Sequence, residues 1–308
     1  MIEADRLALG ARLAVLRQSP WRTRFAPAPT GHLHLGHAVN AVFVWSIARA
    51  FGGSVLVRIE DHDQQRSRIA FESSILSDLH WLGLRADNEQ CGFPMPLRQS
   101  TRNASYASAL SSLTERGLTF RCRCSRRDIH ASPGGAEGRY PGTCRTANVG
   151  EAETTATRLT IDEGGATFDD FRHGMQEQQP AAQCGDMLLR DRLGQWTYHC
   201  AVVVDDLAQA VDVIIRGDDL LDSTGRQLVL ARHLGRVAPP RHLHHPLVTH
   251  ADGIKLSKSN GDTALHALRD AGWTPSSVLG HAAWLGGLQA TSTPLDVSAL
   301  APLWTSNA

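Results

Sequence analysis

The chain has 308 residues, with 31 basic and 31 acidic side chains and a formal net charge of +0 when histidine is neutral. A hydrophobic content of 42% and a charged content of 20% exclude a disordered or fibrous chain and allow one large domain or two modest ones. Zero net charge also excludes whole-molecule attraction to nucleic acid, so any RNA contact must come from a local basic patch.

No stretch approaches ~18 apolar residues without a charge, and Glu3, Asp5 and Arg6 stand where a signal peptide would carry its apolar core. The expectation is a cytoplasmic protein with no membrane contact. Residues 1–20 carry Leu7, Leu9, Leu13 and Leu16 in a helical pattern and are read as an extension without chemistry of its own.

A first strand ends at Arg24 and Phe25 and runs into RFAPAPTGHLHLGH, Arg24 to His37. Pro27 and Pro29 hold the backbone extended, Gly31 and Gly36 free it, and a helix is expected from Gly36 to Phe51. Strand, rigid turn and helix N-terminus make a seat for phosphate, because backbone N–H groups and the helix dipole both favour an anion there. His34 and His37, three residues apart, fall close enough to donate to one polyphosphate. Alone, a His-x-x-His with one glycine is a weak pattern.

The run from Gly53 to Asp61 reads as a buried strand closed by two acids, and the strand–helix–strand order implies a parallel pair with a right-handed crossover. Ligands of open α/β sheets bind at the carboxyl ends of strands, where Arg24, Glu60 and Asp61 fall. An arginine fork takes a carboxylate and an acid takes an ammonium, which together fit an amino acid. The plain alternative for Glu60 is a solvated loop acid. Ile69–Arg85 and Tyr106–Arg116 read as amphipathic helices, the first with Ile75, Leu79 and Leu82 on one face.

Next comes FRCRCSRRDIHASPGGAEGRYPGTCR. Cys122 and Cys124 alternate with arginines, which on a strand places both thiols on one face, and Cys144 follows a glycine-rich loop. Three cysteines on two arms of a loop point to zinc where disulfides are rare. On spacing alone the fourth ligand stays open between Tyr140, a water and His130. Cys91, Cys184 and Cys200 are read as buried free thiols. Residues 150–195 alternate weakly, turn at Asp169 and Asp170, and read as a strand-rich insertion.

Trp196 to Asp206 opens aromatic, becomes a buried apolar run and ends in acids; Val211 to Asp219 repeats that strand-like shape and brings Arg216 and Asp218 to a strand end. Ser223, Thr224 and Gly225 are expected to cap a helix from Gln227 to Leu234. His244, His245 and Pro246 lead to a hairpin at Ala251–Gly253 and then to KLSKS. Lys255 and Lys258 are the only two lysines, leaving 31 − 2 = 29 arginines. An ammonium is a compact point charge and a guanidinium a planar fork, so two lysines kept in one loop mark a site that tells them apart. Thr263 to Leu288 is helical in pattern, and the last twenty residues carry no motif.

Together RFAPAPTGHLHLGH, VRIEDHD, YHCAVVVDD, IIRGDDLLDST and KLSKS resemble the catalytic domain of class I aminoacyl-tRNA synthetases of the glutamate/glutamine group, in the family's order and over about residues 22–290. The resemblance implies an α/β, Rossmann-type parallel-sheet catalytic domain with a zinc-containing insertion and a C-terminal helical region. Its parts are an extension (1–20), the first half of the Rossmann domain (21–120), the insertion (121–195), the second half (196–248), and the KLSKS loop with the helical region (249–308). It implies ATP, accompanied by Mg2+, between HLGH and KLSKS, bound by His34, Gly36, His37, Lys255 and Lys258. His34, His37 and Lys258 would be catalytic. Arg24, Phe25, Ala26, Pro27, Ala28, Glu60, Tyr198 and Arg216 fall on positions that hold L-glutamate. Ala28 stands where the family usually has serine, and the leucine of KLSKS replaces a common methionine, a volume-conserving change.

A complete glutamyl-tRNA synthetase continues into a helical anticodon-binding domain, for which too few residues follow KLSKS. The short form, with Cys-x-Cys and a downstream Tyr-x-x-x-Cys, resembles the glutamyl-queuosine tRNA(Asp) synthetases. That family's zinc ligands match Cys122, Cys124, Tyr140 and Cys144. The resemblance implies ATP-dependent activation of glutamate and its transfer onto queuosine, at the wobble position of the tRNA(Asp) anticodon, by a monomer. The alternatives are a synthetase-like enzyme charging a tRNA 3′ end and a non-catalytic synthetase-like binding protein.

Overall fold

The computed structural model describes residues 3–90, 93–94, 97–133, 138–150, 154–248 and 263–304. In chain order the first half contains α1 (Glu3–Leu13), β1 (Trp21–Phe25), α2 (Leu35–Phe51), β2 (Gly53–Ile59), α3 (Ile69–Trp81), β3 (Glu89–Gln90), β4 (Phe93–Pro94), β5 (Leu97–Arg98) and α4 (Asn103–Glu115). Then follow β6 (Thr119–Cys122), α5 (Arg126–Ala131), β7 (Ala156–Leu159), β8 (Ala166–Asp170), β9 (Gly174–Gln178), α6 (Pro180–Gln183) and β10 (Met187–Arg190). The remainder comprises α7 (Tyr198–Ala208), β11 (Val213–Gly217), α8 (Thr224–His233), β12 (Arg241–His245), α9 (Leu265–Asp270) and α10 (Pro275–Leu285).

β1 pairs in parallel with β2, from Trp21 opposite Gly53 to Phe25 opposite Val57, and β2 pairs in parallel with β5. β11 and β12 form a second parallel pair. The two sets meet where Asp212 donates its N–H to the Arg22 carbonyl at 2.9 Å, which brings β11 beside β1. The carboxyl ends of β1, β2 and β11 therefore converge, as a parallel sheet with crossover helices requires. The strands within residues 121–195 divide between two sheets. β6, β7 and β10 form an antiparallel sheet of their own, while β8 and β9 extend the β11–β12 sheet through a contact of β12 with β8.

α2 is apolar almost all round, which fits burial on every side: Val39, Val42, Phe43, Val44, Ile47 and Ala48 are fully enclosed. It ends at Gly52, whose φ of +76° suits glycine and whose N–H caps the Ala48 carbonyl. The chain then turns under Trp21: a Cβ on Gly53 would lie 2.4 Å from that indole. Trp304 near the C-terminus closes over α2 and donates its indole N–H to Ser46 Oγ at 2.8 Å.

Four sequence expectations change. Trp196–Asp206 is not strand-like: its core is α7, with Thr197 accepting from the Cys200 N–H at 3.4 Å. A short apolar run without period cannot separate a buried strand from a buried helix, and burial of Cys200 through Asp206 overrides the poor helix propensity of three consecutive valines. The helix expected from Gln227 begins at Thr224, after a 3-10 turn over Asp218–Ser223, and Ser223 makes no side-chain cap bond. The helix expected to reach Arg85 stops at Trp81, before Gly83 turns with φ +72°. β6 ends at Cys122, so Cys124 does not share a strand face with it. The hairpin at Ala251–Gly253, both lysines of KLSKS and Cys91 lie outside the described residues. Among the described residues no helix is long and apolar enough to cross a membrane.

Candidate active site

The first part of the site is the N-terminus of α2. His34 is the N-cap: its Nδ1 accepts from the Gly36 N–H at 3.1 Å, and the His34 N–H donates to His37 Nδ1 at 3.2 Å. The two side chains thus build a reciprocal capping box from imidazoles. Because each Nδ1 accepts, the proton of each neutral ring sits on Nε2, the tautomer able to donate to an anion. The rings lie 4.0 Å apart, centroid to centroid, so one polyphosphate can meet both. Leu265 donates its N–H to the Leu33 carbonyl at 2.8 Å, tying this turn to the segment that follows residue 262.

The second part gathers Arg24 from the end of β1, Glu60 from the end of β2, Tyr198 from the first turn of α7 and Arg216 from β11. Pro27 holds the first loop against the second, its carbonyl accepting from the Glu60 N–H at 3.0 Å. Asp206 on α7 accepts from Arg24 Nε at 3.1 Å and from Arg58 Nη1 at 2.7 Å, and Arg58 Nη2 reaches Glu60 Oε1 at 3.1 Å. Burial pushes the Asp206 carboxyl up, but the two guanidinium groups more than offset it and hold it below the usual carboxylate range. Burial, and then the charge of Glu60, push the Tyr198 phenol up, so it remains a neutral hydrogen-bonding group.

Arg216 is held on three sides. Its Nε donates to His244 Nε2 at 2.9 Å, Nη1 to Gln227 Oε1 at 2.7 Å and Nη2 to Thr224 Oγ1 at 2.8 Å. His244 Nδ1 lies 2.8 Å from Asp170 Oδ2, a pure acceptor when ionised, so Nδ1 carries the proton and Nε2 is free to accept from Arg216. Burial holds the His244 pKa below that of an ordinary histidine, keeping the ring neutral beside the guanidinium. Arg24 and Arg216 thus bring guanidinium groups, and Glu60 a carboxylate, to one place, the charges that meet the carboxylates and the ammonium of an amino acid.

The structure therefore brings Arg24, Glu60, Tyr198 and Arg216 together, and His34 with His37. Phe25 turns its ring into the core, 5.4 Å from Trp45, so only its backbone is available to the site. Pro27 is buried, Ala26 and Ala28 are half-buried, and Gly36 is the capped residue of α2. Lys255 and Lys258 lie outside the described residues. The sequence alone gives Asp206, Arg58, His244, Asp170 and Gln227 no role in the site. The only signal for Asp206 was the acid pair closing YHCAVVVDD, whose inward direction follows from a helical period instead of a strand.

A third cluster lies apart, on the β6–β7–β10 sheet. The sulfurs of Cys122, Cys124 and Cys144 all lie within 4.8 Å of one another, with Cys124 and Cys144 at 3.5 Å. Zinc–sulfur bonds of ~2.3 Å at tetrahedral angles separate thiolates by roughly 3.8 Å, so the donor set fits one ion. The Tyr140 hydroxyl lies beside the three thiols, 3.4 Å from Cys122 Sγ, and accepts from the Cys144 N–H at 2.8 Å. Burial and the neighbouring thiols push Cys124 up to about 12, so in the absence of a metal it stays protonated. Gly185 closes the back of the cluster: its φ is +65°, and a Cβ there would lie 2.1 Å from the Tyr140 carbonyl.

Residues 20–292 match the family model described as tRNA synthetases class I (E and Q), catalytic domain. This chain belongs to that family. The synthetase is 45% identical over 253 residues to the glutamyl-Q tRNA(Asp) synthetase of Burkholderia cenocepacia, covering 80% of this chain and 82% of the relative. It is 39% identical over 281 residues to the protein of that name from Nitratidesulfovibrio vulgaris, covering 87% and 86%, and 43% identical over 279 residues to that from Leptothrix cholodnii, covering 86% and 89%. Among solved structures, the glutamate-tRNA synthetase of Elizabethkingia anophelis superposes with a TM-score of 0.73 at 24% identity, a likeness of fold that covers 86% of this chain. The synthetase spans 61% of that larger protein's length.

Proposed function

We propose that this synthetase activates L-glutamate with ATP and transfers the glutamyl group onto queuosine in the anticodon of tRNA(Asp). The observation that carries the activation step is the convergence of Arg24, Glu60, Tyr198 and Arg216 beside the imidazole-capped N-terminus of α2. The acceptor follows from relatives of matching length that bear the name glutamyl-Q tRNA(Asp) synthetase.

Activation joins a glutamate carboxylate oxygen to the α-phosphorus of ATP and expels pyrophosphate. The chain needs no covalent nucleophile for this; it aligns the two substrates and stabilises charge on the phosphates. Arg216, fixed by His244, Gln227 and Thr224, takes one glutamate carboxylate; Glu60 and the Tyr198 hydroxyl face the ammonium, and Arg24 the other carboxylate. His34 and His37 donate through Nε2 to the phosphates, and Lys258 adds its ammonium, with Lys255 beside it and Mg2+ accompanying the nucleotide. Ala28 supplies no hydroxyl here. Zinc on Cys122, Cys124, Tyr140 and Cys144 would have a structural role, because that sheet contributes none of the residues named for activation. The synthetase acts as a monomer.

The test is transfer of labelled glutamate to tRNA(Asp) lacking its 3′-terminal adenosine, with and without queuosine. Label on the queuosine-containing RNA alone is expected. Label that requires the intact 3′ end would make this an enzyme charging a tRNA terminus and would overturn the acceptor assignment.

A further inference from the structure

A polar pocket of about 190 Å3 lies next to the glutamate-binding residues and is used by none of the steps above. His62, Gln64, Gln99, Asn103, Gln195 and Trp196 line it. Two elements join it to the glutamate site: His62 is two residues beyond Glu60, and Trp196 is two residues before Tyr198. The His62 and Tyr198 rings lie 6.5 Å apart.

A chain of hydrogen bonds fixes the orientation of His62. Gln99 Nε2 donates to Asp205 Oδ2 at 2.9 Å, which leaves Gln99 Oε1 as an acceptor. His62 Nδ1, 2.7 Å from that oxygen, must then be the donor. Asp205 also accepts from the Tyr106 hydroxyl at 2.8 Å and pairs with Arg102, so the relay rests on a buried anchor one residue before Asp206. With the proton on Nδ1, the unshared pair of the imidazole falls on Nε2, and among the described residues no hydrogen bond to that atom is formed.

The chemistry of the walls selects the occupant. Carboxamides, a hydroxyl and an imidazole line the pocket, with Trp196 and Tyr106 as apolar surface, and among the described residues neither lysine nor arginine is part of its lining. A volume of about 190 Å3 gives room for one small hydroxylated ring.

We propose that this pocket receives the hydroxylated ring of the acceptor base and that His62 Nε2 accepts the proton of the attacking hydroxyl. The inference rests on the acceptor reading given under Proposed function. The hydroxyl oxygen forms an ester bond to the glutamyl carbonyl carbon of the adenylate. The bond from that carbon to the phosphate oxygen breaks, AMP leaves with the electron pair, and the hydroxyl proton passes to His62 Nε2. His62 is then the general base of the transfer step, and Gln99 with Asp205 positions it.

The test measures two reactions on the full chain: glutamate-dependent exchange of pyrophosphate with ATP, which needs no acceptor, and single-turnover transfer to queuosine-containing tRNA(Asp) lacking its 3′ adenosine. His62→Ala is expected to slow transfer by about 100-fold while exchange stays within about 2-fold. Gln195→Ala removes a wall side chain and is expected to raise the half-saturating tRNA concentration by about 5- to 10-fold, the loss of one hydrogen bond. It decides the matter should His62→Ala fail to fold. Variants that transfer like the parent, with the parent labelling the RNA, overturn the pocket alone. A parent that leaves this RNA unlabelled overturns the acceptor reading and the pocket with it.

Discussion

Arg216 and His244 face each other across the parallel pair β11–β12, and the guanidinium Nε donates to the imidazole Nε2 at 2.9 Å. The contact requires a neutral ring, which burial and the Asp170 carboxylate on its far side together ensure. Arg216 is consequently presented in one orientation, and that orientation depends on Asp170, a residue distant in sequence.

Replacing His244 by alanine should leave Arg216 buried with an unpaired Nε–H. A lost hydrogen bond to a charged group is worth about 1.5–3 kcal/mol, so kcat/KM for glutamate in pyrophosphate exchange should fall by about 10- to 150-fold, mostly through KM. Asp170→Asn should do the same to a smaller extent, because it removes the charge that fixes the tautomer. An unchanged KM in both variants would mean that Arg216 needs no such support.

Asp206 is the shared partner of Arg24 and Arg58, all three buried. Asp206→Ala strands two guanidinium groups and should cost about 3–5 kcal/mol of stability, read as a lower midpoint in urea unfolding. A midpoint equal to the parent's would show that water reaches both arginines.

Acid should weaken the fold before carboxylates titrate. Burial lowers the pKa of His245 to about 4 and that of His242 well below the ordinary value. A group with a depressed folded pKa binds fewer protons folded than unfolded, so stability is lost as pH falls below the unfolded value of ~6.5. The loss for His245 runs down to about 4, at up to roughly 1.4 kcal/mol per pH unit for each such histidine. Thermal midpoints should therefore decline steadily from pH 7 to pH 5; a flat profile would contradict neutral burial of these rings.

Removing zinc should loosen the β6–β7–β10 sheet ahead of the catalytic sheet. Cys122→Ser is expected to abolish bound zinc, measured by elemental mass spectrometry, and to lower the thermal midpoint, with pyrophosphate exchange reduced less than about 3-fold at 25 °C, since a metal held by these thiols would couple to the folding of their own sheet. Full metal content in the variant would exclude Cys122 as a ligand.

Lys258→Ala should reduce pyrophosphate exchange by about 100- to 1,000-fold, as expected for removing one charged stabiliser of the reacting phosphates. Lys258→Arg should recover little, because a planar fork does not replace a point charge. Full activity in the alanine variant would assign the phosphates to other residues.

Much of this was legible in the sequence because it rests on local rules. Proline, glycine and histidine spacing set the turn before α2, apolar runs closed by acids set β2 and β11, and the cysteine spacing set the thiol cluster. Motif order fixed the family. The sequence misled where local signals are degenerate: α7 has the composition of a strand, and the direction of Asp206 depends on which period the run adopts.

The tertiary structure decided what lies beneath the motifs. Asp206 under Arg24, His244 and Asp170 behind Arg216, and the Asp205–Gln99–His62 relay join residues between 28 and 182 positions apart. Each link is a buried or partly buried polar contact between side chains far apart in the chain. Only packing can choose them, because a buried charge or hydrogen-bonding group must find its complement in space, and no local spacing encodes where that complement will be.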